Sequence, residues 1–342
     1  MEVIHMDATR QSTTGSQAET LWDGIIVGGG AAGLSAGLVL ARARFATLVV
    51  DGGEPRNGPA DHMHGYLTQD GLAPKEFVAR GRSELGRYGG TLVRASVVEA
   101  VRTSVGTFEL RLDDGRVLRS RSVLVATGLS DELPDVPGLA ERWASTVHHC
   151  PHCHGYEVRG RGIAVLGNPA TAMTSAVSAH LAALMRRYSS SVTFCTNGTE
   201  VGDGERRRLA AYGVRLVDAP VTRVATPAGT AGGNTVAIEL GDAETVLCEA
   251  VFVAPRPVPH DAVLTQLGAA ADPASGLVAV DSQGATSVPG LWAAGNVVNP
   301  RAQVVAAAGA GSTAAINMAG RLLDQELSAA VDRGRPDGGG GH

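Results

Sequence analysis

The sequence predicts an α/β fold built from two Rossmann-like dinucleotide-binding domains. Three observations predict it. A glycine-rich turn at Gly28, Gly30 and Gly33 joins a short apolar strand to a small-residue helix. A second strand–turn–helix–strand run begins near Gly162. The length, 342 residues, corresponds to roughly two domains.

Taken in order, the first twenty residues lack the basic start and apolar core of a signal peptide. Residues 1–19 read as a disordered leader, and residues 328–342 as a flexible, glycine-rich tail. From Leu21, "GIIV" is a buried strand, "AAGLSAGLVLARAR" a helix, and "ATLVVD" a second strand ending at Asp51. Each glycine of the turn has a physical task. Gly28 permits the tight turn, Gly30 lets backbone approach a pyrophosphate, and Gly33 lets helix and strand pack closely. The helix N-terminus offers free N–H groups to phosphates. Asp51 lies about twenty residues on, where an acid accepts from ribose hydroxyls.

Composition narrows the function classes. A hydrophobic content of 44% against 18% charged residues describes an ordinary globular chain with ample core. The net charge of −5 gives no footprint for nucleic acid. No apolar run reaches membrane-span length, so a cytoplasmic location is the default. Four cysteines are too few for a secreted disulfide framework. Cys195 and Cys248 sit in the strand-like runs "VTFC" and "TVLCEAVFVA" and read as small core residues.

The remaining pair lies in "STVHHCPHCHGYEVRG", where Cys150 and Cys153 are surrounded by His148, His149, His152 and His154. Three readings compete. Zinc needs four N/S ligands in a tetrahedral array, which these residues, or His62 and His64, could supply. A structural crosslink closing a two-residue loop removes little chain entropy. A redox pair would use nearby histidines, either as cations that lower a thiol's pKa or as groups that accept and return protons.

Two later segments, "SVLVATGLSDELPDVPG" and "TSVPGLWAAGNVVNPRAQVVAAAGAGSTAAINMAG", complete a pattern that resembles the two-dinucleotide-domain flavoprotein reductases of thioredoxin reductase type. The resemblance implies FAD, held in a discontinuous domain of residues 20–140 and 258–327, with an inserted NAD(P)-binding-like domain of residues 141–257. It places FAD against Gly28, Gly30, Ala31, Gly33 and Asp51, and against Arg56, Asn57 and His64 in the following loop. It also places FAD at Ala126, Thr127 and Gly128, and at Gly295, Asn296, Gln303 and Val304. Asn296 stands where that family carries an aspartate, and an amide still hydrogen-bonds a hydroxyl. The family's homodimeric state is implied as well.

The inserted unit departs from the family at its nucleotide turn. Pro169 stands where the second glycine belongs, and proline has no N–H, a fixed φ and added bulk. The strand after it ends in Cys195-Thr196-Asn197-Gly198, without the basic cluster that holds an NADPH 2′-phosphate in thioredoxin reductases. The sequence therefore predicts a retained scaffold and a lost nicotinamide site.

The run "CPHCHGYEVRG" is closer to the FAD-dependent dithiol oxidases of the gliotoxin and holomycin type, and the similarity extends over about residues 20–327. It implies oxidation of a small-molecule dithiol to a disulfide through Cys150 and Cys153. Oxygen would be the electron acceptor, and His154, then His149, the acid/base. Cys153 is by this resemblance the flavin-proximal cysteine, and Cys150 the one a substrate thiolate attacks. No metal is assigned. An NADPH-dependent disulfide reductase, a flavin-bound redox sensor and a zinc protein with an empty nucleotide fold remain the alternatives.

Overall fold

The computed structural model describes residues 20–227, 235–241 and 243–334. The expected leader, residues 1–19, lies outside them.

Strand β1 (Leu21–Val27) is the centre of the first sheet, paired in parallel with β2 (Thr47–Asp51) on one side and β6 (Val117–Val125) on the other. β3 (Thr91–Arg94) extends it beyond β2, and β4 (Val97–Arg102) and β5 (Phe108–Leu112) form an antiparallel meander into β6. Alternate residues of β1 serve opposite faces. Ile25 and Val27 pack in one core with Val123, Val125 and Phe108, while Ile26 packs in the other with Val49, Leu124 and the helices. A strand buried on both faces explains why "GIIV" shows no polar alternation.

Helix α1 (Ala31–Arg42) covers the second face together with α2 (Pro74–Arg87). The chain then crosses to a second unit through β7 (Leu129–Glu132), which pairs antiparallel with β16 (Arg256–Pro259). Between them β8 (Val147–His148), β9 (Ile163–Leu166), β10 (Val192–Cys195), β11 (Val214–Val217) and β15 (Ala250–Val253) form a parallel sheet in the order β11-β10-β9-β15-β8. One face packs on α4 (Ala172–Met185) and α5 (Asp203–Ala211) through Val165, Phe194 and Phe252. The other packs on an antiparallel layer of β12 (Val221–Ala225), β13 (Val236–Leu240) and β14 (Thr245–Cys248). The short helix α3 (Pro151–His154) leaves β8, and α6 (Ala262–Gln266) follows β16. The chain returns as β17 (Leu291–Ala293), parallel to β6, and ends in α7 (Val304–Gly334).

Two boundaries differ from the sequence reading. The first crossover was placed at 140/141, yet Val136 and Leu139 are buried in the core of the inserted unit, so the chain changes cores at the β7–β16 ribbon. The tail was placed from residue 328, yet α7 continues to Gly334 because Ser328-Ala-Ala-Val-Asp-Arg still propagates a helix. Cys195 and Cys248 are buried free thiols, as expected, and burial pushes each up to about 12.

Candidate functional site: a nucleotide cradle facing a disulfide

The glycine turn between β1 and α1 behaves as its chemistry requires. Gly28 has φ +110°, and a Cβ there would sit 2.3 Å from the Ala126 carbonyl oxygen. A Cβ on Gly33 would lie 1.8 Å from the Gly28 oxygen, so helix and turn touch backbone to backbone. At Gly30 an added Cβ would meet nothing within 4 Å. The ground in front of α1 is clear, and α1 has no side-chain cap. Its leading amides are thus available to an anion. These features fit the pyrophosphate of FAD.

Asp51 is buried at the end of β2, but its carboxylate is already engaged. It accepts from Gly29 N (3.3 Å) and Gly53 N (2.9 Å) and is paired with Arg82 at 2.6 Å. It therefore builds the turn and ties it to α2. Arg82, on α2, has no motif to announce it.

The remaining expected FAD residues are gathered from distant segments. Thr127 Oγ1 donates to the His260 carbonyl (2.6 Å), and Gly128 accepts from His260 N (3.0 Å), which ties the start of β7 to the returning chain. Gly295 (φ +80°) lies close enough to α1 that a Cβ would be 2.9 Å from Ala32 Cβ. Asn296 Nδ2 donates to the carbonyls of Asn299 and Ala302, shaping the turn before α7. Arg56 forms a two-pronged ion pair with Asp131 and donates to the Pro300 carbonyl. Asn57 closes a turn, its carbonyl accepting from Ala60 N. His64 faces Asp70 (3.3 Å) and Glu157 (3.6 Å). Its visible partners are thus acids, one of them on the segment after α3. Ala31 and Val304 are the first residues of α1 and α7.

Cys150 and Cys153 form a disulfide, with Cα atoms 5.3 Å apart. Pro151 starts α3, and the amides of Cys153 and His154 donate back to the Cys150 carbonyl. This single turn brings residues three apart onto one side. Cys150 is 5% exposed and Cys153 is half-buried. Opposite them stands Gln303, immediately before α7. Its Nε2 is 3.6 Å from Cys150 Sγ and its Oε1 3.3 Å from Cys153 Sγ.

The histidines divide by environment. His148 is buried, stacks on His154 (4.4 Å between ring centroids) and leans on Phe252. Desolvation, then the neighbouring His154 and His149, push it down to about 3. His149 stacks on Trp143, and desolvation takes it down to about 4. His154 is lowered by desolvation and partly restored by Glu157. The idea of a resident histidine cation beside the thiols is thus corrected. Burial keeps these three rings neutral at neutral pH, and the same desolvation makes His148 and His149 weak bases, so the ring best able to take a proton is His154, whose protonated form Glu157 favours. His154 and His149 each adjoin a redox sulfur in sequence and each has a carboxylate that favours its protonated form, Glu157 for His154 and Asp131 for His149, the latter opposed by Arg56. No group of three or more His, Cys, Asp or Glu side chains among the described residues is arranged to hold a metal ion.

The second glycine turn is closed from within. Asn168 is buried; its N donates to Ser178 Oγ and its Nδ2 to the Ala254 carbonyl. Ala170 N donates to Asn168 Oδ1 (3.0 Å). Thr171 and Thr174 form a reciprocal capping box at the start of α4, Thr174 N to Thr171 Oγ1 (3.1 Å) and Thr171 N to Thr174 Oγ1 (3.0 Å). Pro169 has no N–H at all. The amides of Asn168, Ala170, Thr171 and Thr174 are engaged within the turn and α4, in contrast to the uncapped α1. At the end of β10, Asn197 (φ +49°) donates to the Gly167 carbonyl and accepts from Val221 N, so a neutral amide fills that position. Arg206 nearby in the chain is paired with Asp218.

Fold and site together define a flavoprotein disulfide oxidoreductase. The pyridine nucleotide-disulphide oxidoreductase family profile matches residues 22–311, and the chain belongs to that family, whose thioredoxin reductase-like members bind FAD. The chain is 30% identical over 319 residues to thioredoxin reductase sirT of Leptosphaeria maculans, covering 91% of this chain and 97% of the relative. It is 35% identical over 230 residues to thioredoxin reductase tcpT of Claviceps purpurea, covering 66% and 70%. The crystal structure of HlmI superposes with a TM-score of 0.85 at 42% identity, covering 92% of this chain and 96% of that one.

Proposed function

We propose that this protein is an FAD-dependent dithiol oxidase. It would turn a small-molecule dithiol into a disulfide through Cys150 and Cys153 and pass the electrons to oxygen, giving hydrogen peroxide. The observation that carries this reading is the contrast between the two nucleotide turns. The first is open and uncapped, whereas the second is filled by Pro169 and by its own hydrogen bonds. With Pro169 lacking an N–H and the amides of Asn168, Ala170, Thr171 and Thr174 engaged within the turn and α4, a nicotinamide donor is poorly served, and electrons enter through the disulfide.

A substrate thiol gives its proton to His154, whose neutral ring is prepared to accept it. The thiolate attacks Cys150 Sγ, the Cys150–Cys153 bond breaks, and Cys153 leaves as the reduced sulfur. The second substrate thiolate then attacks the sulfur attached to Cys150, releasing the cyclic product and Cys150. His149, held by Trp143 and electrostatically close to Asp131 and Arg56, is the second proton-handling residue. FAD, held at the open turn of Gly28, Gly30 and Gly33 before α1, would supply a two-electron acceptor for the reduced pair, with oxygen as the final acceptor.

We also propose a homodimer located in the cytoplasm. No helix among the described residues is long and apolar enough to cross a membrane. The curated relatives' name, thioredoxin reductase, supports a second reading as an NADPH-dependent disulfide reductase. Two measurements on the holoenzyme separate them. Dithiothreitol under anaerobic conditions should bleach the flavin rapidly, while NADPH should not. Prompt bleaching by NADPH would reject the oxidase reading. Full dithiol-dependent oxygen uptake by Cys153→Ser would reject the role given to the pair.

A further inference from the structure

Gln303 is placed by resemblance beside the flavin, yet its side chain lies across the disulfide. The two ends of its carboxamide meet different sulfurs, Nε2 at 3.6 Å from Cys150 and Oε1 at 3.3 Å from Cys153. Those ends are chemically unlike, since the N–H only donates and the carbonyl only accepts. The sulfurs differ too. Cys150 is 5% exposed, and a thiolate removed from water needs a donor in its place. Cys153 is half-buried and adjoins His154. The titratable groups around the pair are His149 before it and His154 after it, with His148 stacked on His154, and Glu157 and His64 beyond. The histidines carry N–H groups whose position changes with tautomer and protonation, and Glu157 carries none, whereas the amide N–H is the same at every pH.

We propose that Gln303 is a catalytic residue that sets the polarity of the reduced pair. Its N–H holds Cys150 as the thiolate, and its carbonyl accepts the S–H of Cys153. The inference rests on the dithiol-exchange reading above and gives each leaving group its own partner. When substrate sulfur bonds to Cys150 Sγ, the disulfide electron pair passes to Cys153 Sγ, which takes the proton held by His154 and turns the new S–H toward Oε1. When the second substrate thiol, its proton going to His154, attacks the substrate sulfur on Cys150, that bond's electron pair remains on Cys150 Sγ, facing Nε2–H. The substrate has then lost two electrons and two protons. The cysteine pair has gained two electrons and one proton, and the other proton rests on His154 until solvent removes it.

The test is site-resolved alkylation of the reduced holoenzyme under anaerobic conditions. Iodoacetamide labelling of each cysteine is followed by peptide mass spectrometry across pH 5–10, in wild type, Gln303→Leu, Gln303→Met and Gln303→Glu. Midpoints of rate against pH are compared, because they do not depend on how accessible each sulfur is. In the wild type Cys150 should show the lower midpoint. Gln303→Leu and Gln303→Met should raise the Cys150 midpoint by about one pH unit, roughly a threefold loss of labelling at pH 7 if the wild-type midpoint lies about half a unit below it, while moving Cys153 little. Gln303→Glu should raise both midpoints by placing a negative charge against both sulfurs. Identical Cys150 midpoints in all four proteins, or a lower midpoint for Cys153 in the wild type, would overturn the proposal. Dithiol-dependent oxygen uptake, measured in parallel on the wild type, reports separately on the oxidase reading, since the labelling order stands whether or not the enzyme turns over.

Discussion

Two of the histidines beside the disulfide should make this protein lose stability on mild acidification. His148 is pushed from 6.5 to about 3 and His149 from 6.5 to about 4, in both cases chiefly by desolvation. Both folded values lie below the unfolded one, so the unfolded chain binds more protons and stability rises with pH through this window. It is lost as pH falls below about 6.5, and the loss continues until the folded values are reached. At pH 5.0 each unfolded histidine has gained about 2 kcal/mol from protonation while the folded ring has gained almost nothing, from 1.36 kcal/mol per unit. The pair therefore costs about 4 kcal/mol between pH 7.5 and 5.0. The depressed carboxylates Asp70, Asp114, Asp218 and Asp272 do not confuse this interval, because they titrate below their ordinary 3.8. The assay is urea unfolding at fixed FAD concentration, since bound ligand adds to apparent stability. Trp143, which stacks on His149, gives a fluorescence signal close to the site. His148→Phe keeps a ring against Phe252 and His154 and should recover about half of the acid loss; adding His149→Phe should recover most of it. Equal losses in wild type and double variant would refute the reasoning, as would imidazole resonances showing His148 titrating near pH 6.5.

Three further outcomes follow from the geometry. Gly33→Ala places a Cβ 1.8 Å from the Gly28 oxygen, so the purified variant should be colourless, with FAD affinity reduced at least tenfold by fluorescence titration. Thr171→Ala removes the reciprocal cap of α4 and should cost about 1 kcal/mol of stability in denaturant unfolding. Cys195 and Cys248, buried and pushed up to about 12, should stay unlabelled by Ellman's reagent in the oxidised native protein and react only on unfolding.

Much of the fold was legible because its demands are local. Gly28, Gly30 and Gly33 answer to one turn: Gly28 is required by its positive φ and Gly33 by the Gly28 oxygen five residues back, although the Ala126 carbonyl that also crowds Gly28 is distant in the chain. Pro169 is legible for the same reason, since its missing N–H is a property of the residue alone. The capping box at Thr171 and Thr174 was not read, although both threonines are plain in the sequence. Thr-x-x-Thr lacks the acid or amide that marks such a box, and only the α4 geometry shows the two hydroxyls exchanging bonds with the two amides. The helix running past residue 328 to Gly334 was missed because a polar, alanine-rich end has no packing signal.

By itself, then, the sequence determined the nucleotide-binding class and the proline in the second turn, both set by neighbouring residues, and its resemblance to the thioredoxin reductase type marked Cys150 and Cys153 as a redox pair. The tertiary structure decided which groups surround the sulfurs. Gln303 lies 150 residues beyond Cys153, and His148, His149 and His154 look alike in the chain. Desolvation by Phe252, Trp143 and the surrounding core is what makes these three rings neutral, and the fold of α7 against α3 is what sets an amide on the disulfide. Burial and long-range contact are properties of the packed chain, so no local pattern encodes them.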